Sequence, residues 1–176
     1  MIRFLLHRGA QRFARAMAYD TSYMHAVIDA DPRAGMRLSA FSMLSQYRGP
    51  AVPVWAGALL ASTLDGDCGP CAQLVVDMAL QAGAEAEALR LCAIGRADQA
   101  GATGLGFRFA QAAIADAPDT DALRAEIIRL QGERAALAAA FAAASGRMYP
   151  VLKRGLGFGK TCQSLTFDRQ VTELPR

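Results

Sequence analysis

Cys68 and Cys71 stand three residues apart with Gly69-Pro70 between them, directly after the turn-like stretch Asp65-Gly66-Asp67. Two thiols at that spacing can close a reversible disulfide, the chemistry of thiol redox exchange. A helix beginning here puts residues i and i+3 on one face, with Cα atoms roughly 5–6 Å apart. That separation suits a disulfide. The helix start also presents unpaired N–H groups and the positive end of the macrodipole, and both favour a thiolate. Pro70 fits a first turn, where its missing N–H costs nothing, and Gly69 lets another backbone approach closely.

Two other readings use the same spacing. A CxxC is half of a structural zinc site, which needs two more ligands at suitable spacing. Cys92 and Cys162 stand alone, and His7 and His25 form no HxxxH pair. Two cysteines can also be small buried core residues without chemistry. Asp67 is the one acidic group adjacent to the pair. Its charge opposes a thiolate unless its carboxylate caps the helix.

The elements that must position these thiols are read from the rest of the chain. Its 176 residues suggest one domain, 1–176, with enough length for a proper core. Apolar residues make up 53% and mean hydropathy is +0.16, with alanine the main contributor. No apolar stretch is expected to approach the roughly 18 residues that span a bilayer, so the surplus points to subunit contacts. A net charge of +3 with scattered arginines gives no nucleic-acid surface. The first 19 residues read as a basic amphipathic helix, docked on its own domain or on a second subunit rather than on a membrane surface. The Phe4-Leu5-Leu6 run is too short for an export signal, so the chain is expected in the reducing cytoplasm.

Nearly every later segment favours helix. Thr21 or Ser22 can cap a short one to Ala30, and Asp31-Pro32 starts another that runs to Tyr47. Pro53 to Leu64 is Ala-rich and apolar throughout, as a central helix must be. The cysteine helix is expected to reach Ala82, with Gly83 as its stop and Cys71, Leu74, Val75, Met78 and Ala82 as an inward stripe. Glu85 to Ile94, Phe107 to Ala115, a helix opened by Pro118-Asp119-Thr120 and broken at Gly132, and Glu133 to Gly146 follow, with Gly101 to Gly106 read as loop. Alanines in the last of these allow helices to approach closely. Met148 to Leu152 is the one weak strand candidate. The fold class is therefore all-α, a single helical bundle with its core over about 32–147 and a tail over about 148–176.

An Ala-rich helix, an acidic glycine turn and a CxxC that opens a second helix ending in Ala-Gly resemble the AhpD-like / carboxymuconolactone decarboxylase superfamily. The similar stretch is Ala51 to Gly95, centred on Ala56 to Cys71. The resemblance implies an all-helical fold around the cysteine helix pair, assembled as a homodimer, trimer or hexamer. It implies a Cys68–Cys71 pair that cycles between dithiol and disulfide while reducing peroxide or a partner protein, with a thiol donor protein and no metal or cofactor. The family's relay uses a Glu about twelve residues before the first cysteine and a His four after the second. Those positions hold Ala56 and Val75, and Asp77 lies on the far side of the helix from Cys68. Cys68, at the helix end and expected to be the more exposed, is then the nucleophile, with Cys71 resolving. The family's relay gives the attack to the second cysteine instead. The alternative is a non-catalytic or ligand-binding homo-oligomer of the same fold whose CxxC is structural. Lactone or decarboxylase chemistry, as in the family's other branch, does not depend on CxxC.

The remaining motifs carry less. Gly155 to Thr161 imitates a phosphate loop, but Arg154 stands where the first glycine belongs, and a C-terminal segment packed on a neighbour is the simpler reading. Cys92, Trp55 and Phe41 read as core, and Tyr19, Tyr23 and Tyr47 as helix-interface residues. His7 and His25 read as surface or interface packing.

Overall fold

The computed structural model describes residues 1–161 and 163–175, so Cys162 lies outside the described residues. The chain is an all-α fold with one small terminal hairpin. Its centre is α4, Val52–Asp65, in which every residue from Val54 to Thr63 is buried. A helix apolar on all sides has to be surrounded, and α4 packs against α5 (Gly69–Gln81), α6 (Ala86–Ala93), α7 (Gly101–Ala115) and α9 (Glu133–Gly146). The Gly101 to Gly106 stretch expected as loop is the first half of α7. Gly101 turns into the helix at φ 54°, but Gly104 and Gly106 serve contact: a Cβ on Gly106 would meet the Val54 carbonyl oxygen at 2.1 Å, and one on Gly57 of α4 the Thr103 carbonyl oxygen at 1.9 Å. The two backbones touch.

On the other side, α9 lays its alanines on α4, with Ala135, Ala138, Ala139, Ala142 and Ala143 buried. The Ser62 hydroxyl donates to the Ala143 carbonyl at 2.6 Å. Between α7 and α9, α8 (Thr120–Gln131) begins after Asp119 and ends at Gly132, as the sequence predicts. Glu133–Gly155 is long and apolar enough to cross a membrane by length and composition, which corrects the expectation that no stretch approaches that measure. Half of its most apolar window is buried inside this fold.

Three N-terminal helices form a second layer: α1 (Ile2–Met17), α2 (Ser22–Ala30) and α3 (Pro32–Leu44). Asp31 caps α3 by accepting from the Arg33 N–H at 2.8 Å. A separate apolar cluster of Tyr19, Tyr23 and Leu38 joins this layer to Leu74 of α5 and to Met148, Tyr149 and Leu152. The last three lie in a helix, α10 (Met148–Gly155), not in a strand. The strands are β1 (Ser164–Phe167) and β2 (Gln170–Glu173), an antiparallel hairpin in which Leu165 faces Thr172 and Thr166 faces Val171. Leu165 and Phe167 are buried in the main core, so the tail completes the domain. Gln73 of α5 grips this hairpin twice, donating to the Thr166 carbonyl at 3.0 Å and accepting from its N–H at 2.8 Å. Trp55 is core as expected, whereas Phe41 is partly exposed and meets Tyr149 edge-on.

Candidate active site

The turn before α5 places Asp67 at φ 48° and hands the N-cap position to Cys68, in extended conformation, with Pro70 in the first turn. Asp67 is thus one residue outside the helix and is not its cap. Its backbone N–H bonds the Leu64 carbonyl, and the residue lies on the rim of a groove of about 880 Å³ with Cys92 and Arg108. Neither Cys68 nor Cys71 lines that groove.

Both thiols are buried, Cys68 at 1% exposure and Cys71 at 4%. The expectation that Cys68 is the more exposed is therefore overturned. The cause is the tail: the Gly69 N–H donates to the Lys160 carbonyl at 3.1 Å, which draws the chain after α10 over the helix start. Cys71 instead lines a cavity of about 110 Å³ with Phe13, Tyr19, Tyr23, Leu74 and Val75. The sequence-predicted stripe of Cys71, Leu74, Val75 and Met78 borders this cavity, while Ala72, Val76 and Ala79 form the face buried in the main core.

The two sulfurs are electrostatically unlike. A hydrogen bond from the Cys71 thiol lowers Cys68 to about 6, against the opposing effect of burial, with help from the Cys71 backbone N–H and the Lys153 charge. The same hydrogen bond, and then burial, pushes Cys71 far up, so it is the partner that keeps its proton. Burial pushes Cys92 up to about 12, consistent with its expected place in the core.

Two residues from distant elements complete the surroundings. The Tyr19 hydroxyl, in the connection between α1 and α2, lies 3.6 Å from the Cys71 sulfur. Lys153 of α10 is 3% exposed and donates from Nζ to the Tyr19 oxygen at 3.1 Å. Its ammonium also sits 5.0 Å from the Tyr19 ring centre and 5.2 Å from that of Tyr23. Burial first, then the nearby cysteines and the other phenol, holds the Tyr19 hydroxyl firmly protonated. Tyr19 carries only a weak sequence signal, a tyrosine after an amphipathic helix, and Lys153 reads locally as one more basic residue in the last turn of a helix.

The other sequence candidates fall elsewhere. Val75, at the family's His position, is an apolar wall of the cavity, and Ala56 is sealed inside α4. Asp77 accepts from the Gln73 side chain at 2.9 Å. His7 and His25 stack on each other, their Nδ1 atoms 2.6 Å apart, with Asp29 beside His7. They supply no base to the thiols, whose polar neighbours are Tyr19 and Lys153. The Gly155 to Thr161 run follows helix α10 rather than a strand, unlike a phosphate loop. Among the described residues no group of three or more His, Cys, Asp or Glu is arranged to hold a metal ion. No protein-family model, no curated protein and no solved structure matches this chain.

Proposed function

We propose that the protein is an AhpD-like thiol–disulfide oxidoreductase, in which Cys68 and Cys71 pass between dithiol and disulfide while reducing a peroxide or a partner's disulfide. The observation that carries this reading is the asymmetry of the pair. The Cys71 thiol lowers Cys68 toward the thiolate form, while Cys71 is pushed up and borders a cavity. A thiolate beside a thiol is the arrangement from which a disulfide forms through an oxidised sulfur intermediate. A small oxidant that enters the cavity beside Cys71 meets the adjacent Cys68 thiolate as nucleophile, and the Cys71 thiol resolves the oxidised Cys68 sulfur as the disulfide. The resulting disulfide is returned to dithiol by a thiol donor protein, and the protein works as a homo-oligomer. Exposed Met43 and Leu44 on α3 and Phe4 and Leu5 on α1 favour that assembly.

Burial of both sulfurs favours a second reading, a structural disulfide in a non-catalytic homo-oligomer. Peroxide consumption with a dithiol donor, compared among the native protein, Cys68→Ser and Cys71→Ser, separates the two. The redox reading predicts turnover that both substitutions abolish, together with a reduction potential of the pair near that of thioredoxin. Absence of turnover with a very low potential would establish the staple.

A further inference from the structure

Resting on the thiol-redox reading above, we infer that Tyr19 and Lys153 are the proton-delivery arm of the cysteine pair, with Lys153 both the counter-cation of the Cys68 thiolate and the source of the proton that oxidation consumes.

The first argument is charge. A buried ammonium without a compensating anion costs several kcal/mol on the scale of ion desolvation. Lys153 is almost wholly buried, and among the described residues no carboxylate forms an ion pair with it. Asp20, exposed and held by Ser22, senses the ammonium only at a distance. The anion within the same buried cluster is the thiolate of Cys68.

The second argument is direction. An ammonium has only donors, so the Tyr19 oxygen must accept from Lys153 Nζ at 3.1 Å. The single phenolic hydrogen is then available to the Cys71 sulfur at 3.6 Å. The Cys71 thiol acts in turn on Cys68, lowering it. Ammonium, phenol, thiol and thiolate form one chain that leads toward Cys68. Such a chain stabilises the anion at its end and conducts a proton back when that anion is spent.

With a peroxide ROOH as oxidant, the atoms balance as follows. The Cys68 thiolate attacks the terminal peroxide oxygen, breaking the O–O bond with two electrons and becoming a sulfenic acid. The departing alkoxide takes the Tyr19 proton and leaves as ROH, and Lys153 reprotonates Tyr19, becoming a neutral amine. The Cys71 sulfur then displaces hydroxide from the Cys68 sulfenic acid, its own proton completing a water molecule as the S–S bond closes. The cluster ends with no thiolate and no ammonium, so no uncompensated charge remains buried. Tyr19, which touches the resolving sulfur, is the catalytic residue of this arm. Lys153 acts through it as a positioning residue and proton reserve.

The test uses the full-length reduced protein and two readouts: single-turnover oxidation by hydrogen peroxide or a small organic hydroperoxide, and the ultraviolet thiolate titration of Cys68, taken as the difference from Cys68→Ser. Tyr19→Phe is expected to slow oxidation about 100-fold. Lys153→Met is expected to slow oxidation and move the Cys68 midpoint upward. Lys153→Arg is expected to keep the midpoint and lose the rate, because a guanidinium holds its proton. Native oxidation rates in all three variants, or an unmoved Cys68 midpoint in Lys153→Met, would overturn the inference. If the native protein reacts with no peroxide, the redox reading falls by itself. The titration of Lys153→Met then decides the charge pairing, a shift upholding it and no shift ending it.

Discussion

Tyr19 and Cys71, 52 positions apart in the chain, meet with phenol oxygen and sulfur 3.6 Å apart, inside the buried layer that joins the N-terminal helices to the rest of the fold. The contact makes the first twenty residues part of the cysteine site. An amphipathic helix with Phe4 and Leu5 exposed reaches the cysteine pair at its C-terminal end, where Ala18 turns left-handed and delivers Tyr19 inward.

The Cys68 thiol sits at about 6 in the fold against an ordinary value of 9.0. A lowered value stabilises the folded state fully above the unfolded value and not at all below the folded one. The reduced native protein should therefore gain stability over Cys68→Ser as pH rises from about 6 to about 9, by as much as about 4 kcal/mol. Chemical denaturation of both proteins at several pH values in a reductant measures it. A difference that stays flat across this window contradicts the lowered thiol.

Gly57→Ala puts a methyl group 1.9 Å from the Thr103 carbonyl oxygen. Backbone cannot yield as a flexible side chain does, so α4 and α7 must separate. Overpacking of this kind costs about 3 kcal/mol, which for a chain of this length lowers Tm by on the order of 10 °C. An unchanged thermal melt would refute the described contact.

Val75→Phe should fill the cavity beside Cys71 while leaving the Cys68 titration near its native midpoint. Peroxide oxidation of the dithiol is then expected to fall at least about tenfold, the effect of roughly 1.4 kcal/mol on a barrier. Stopped-flow oxidation measures it, and a native rate would mean that the oxidant reaches the pair by another route.

Gln73→Ala removes both hydrogen bonds that hold Thr166 of the tail. Two such bonds contribute roughly 1–3 kcal/mol together. Local opening of the tail should then expose Cys68, raising its alkylation rate about tenfold with little change in global melting. Mass-spectrometric mapping of alkylation against time decides this, and equal rates would show that the tail is not the cover.

The helices were legible wherever the signals are local. Asp31-Pro32, Gly83 and the apolar run from Val54 to Thr63 each act within a few residues, and the helices they mark formed, though the one begun by Asp31-Pro32 ends at Leu44 rather than Tyr47. Gly101 to Gly106 misled because glycine has two uses: in a sequence it reads as freedom, whereas in α7 it permits helix contact that only the tertiary fold reveals. The hairpin was hidden for a related reason. Leu165 and Phe167 alternate correctly, but the two-residue turn is Asp168-Arg169, both left-handed, without the glycine that usually marks such a turn. The cysteine pair was visible from spacing alone. Tyr19 and Lys153 were not, because nothing local distinguishes a buried lysine from an exposed one. The tail over Cys68 likewise depends on long-range bonds, from Gly69 to Lys160 and from Gln73 to Thr166.

The grip of Gln73 on Thr166 has a consequence for the hairpin itself. One side-chain amide, with its own donor and acceptor, meets the N–H and carbonyl of Thr166 as a neighbouring strand's peptide would. The outer edge of β1 is thereby occupied at its middle by a helix residue. A two-stranded ribbon normally offers such an edge to any passing chain. Here the sheet is terminated by a single glutamine, and the same glutamine ties the ribbon to the helix that carries both thiols.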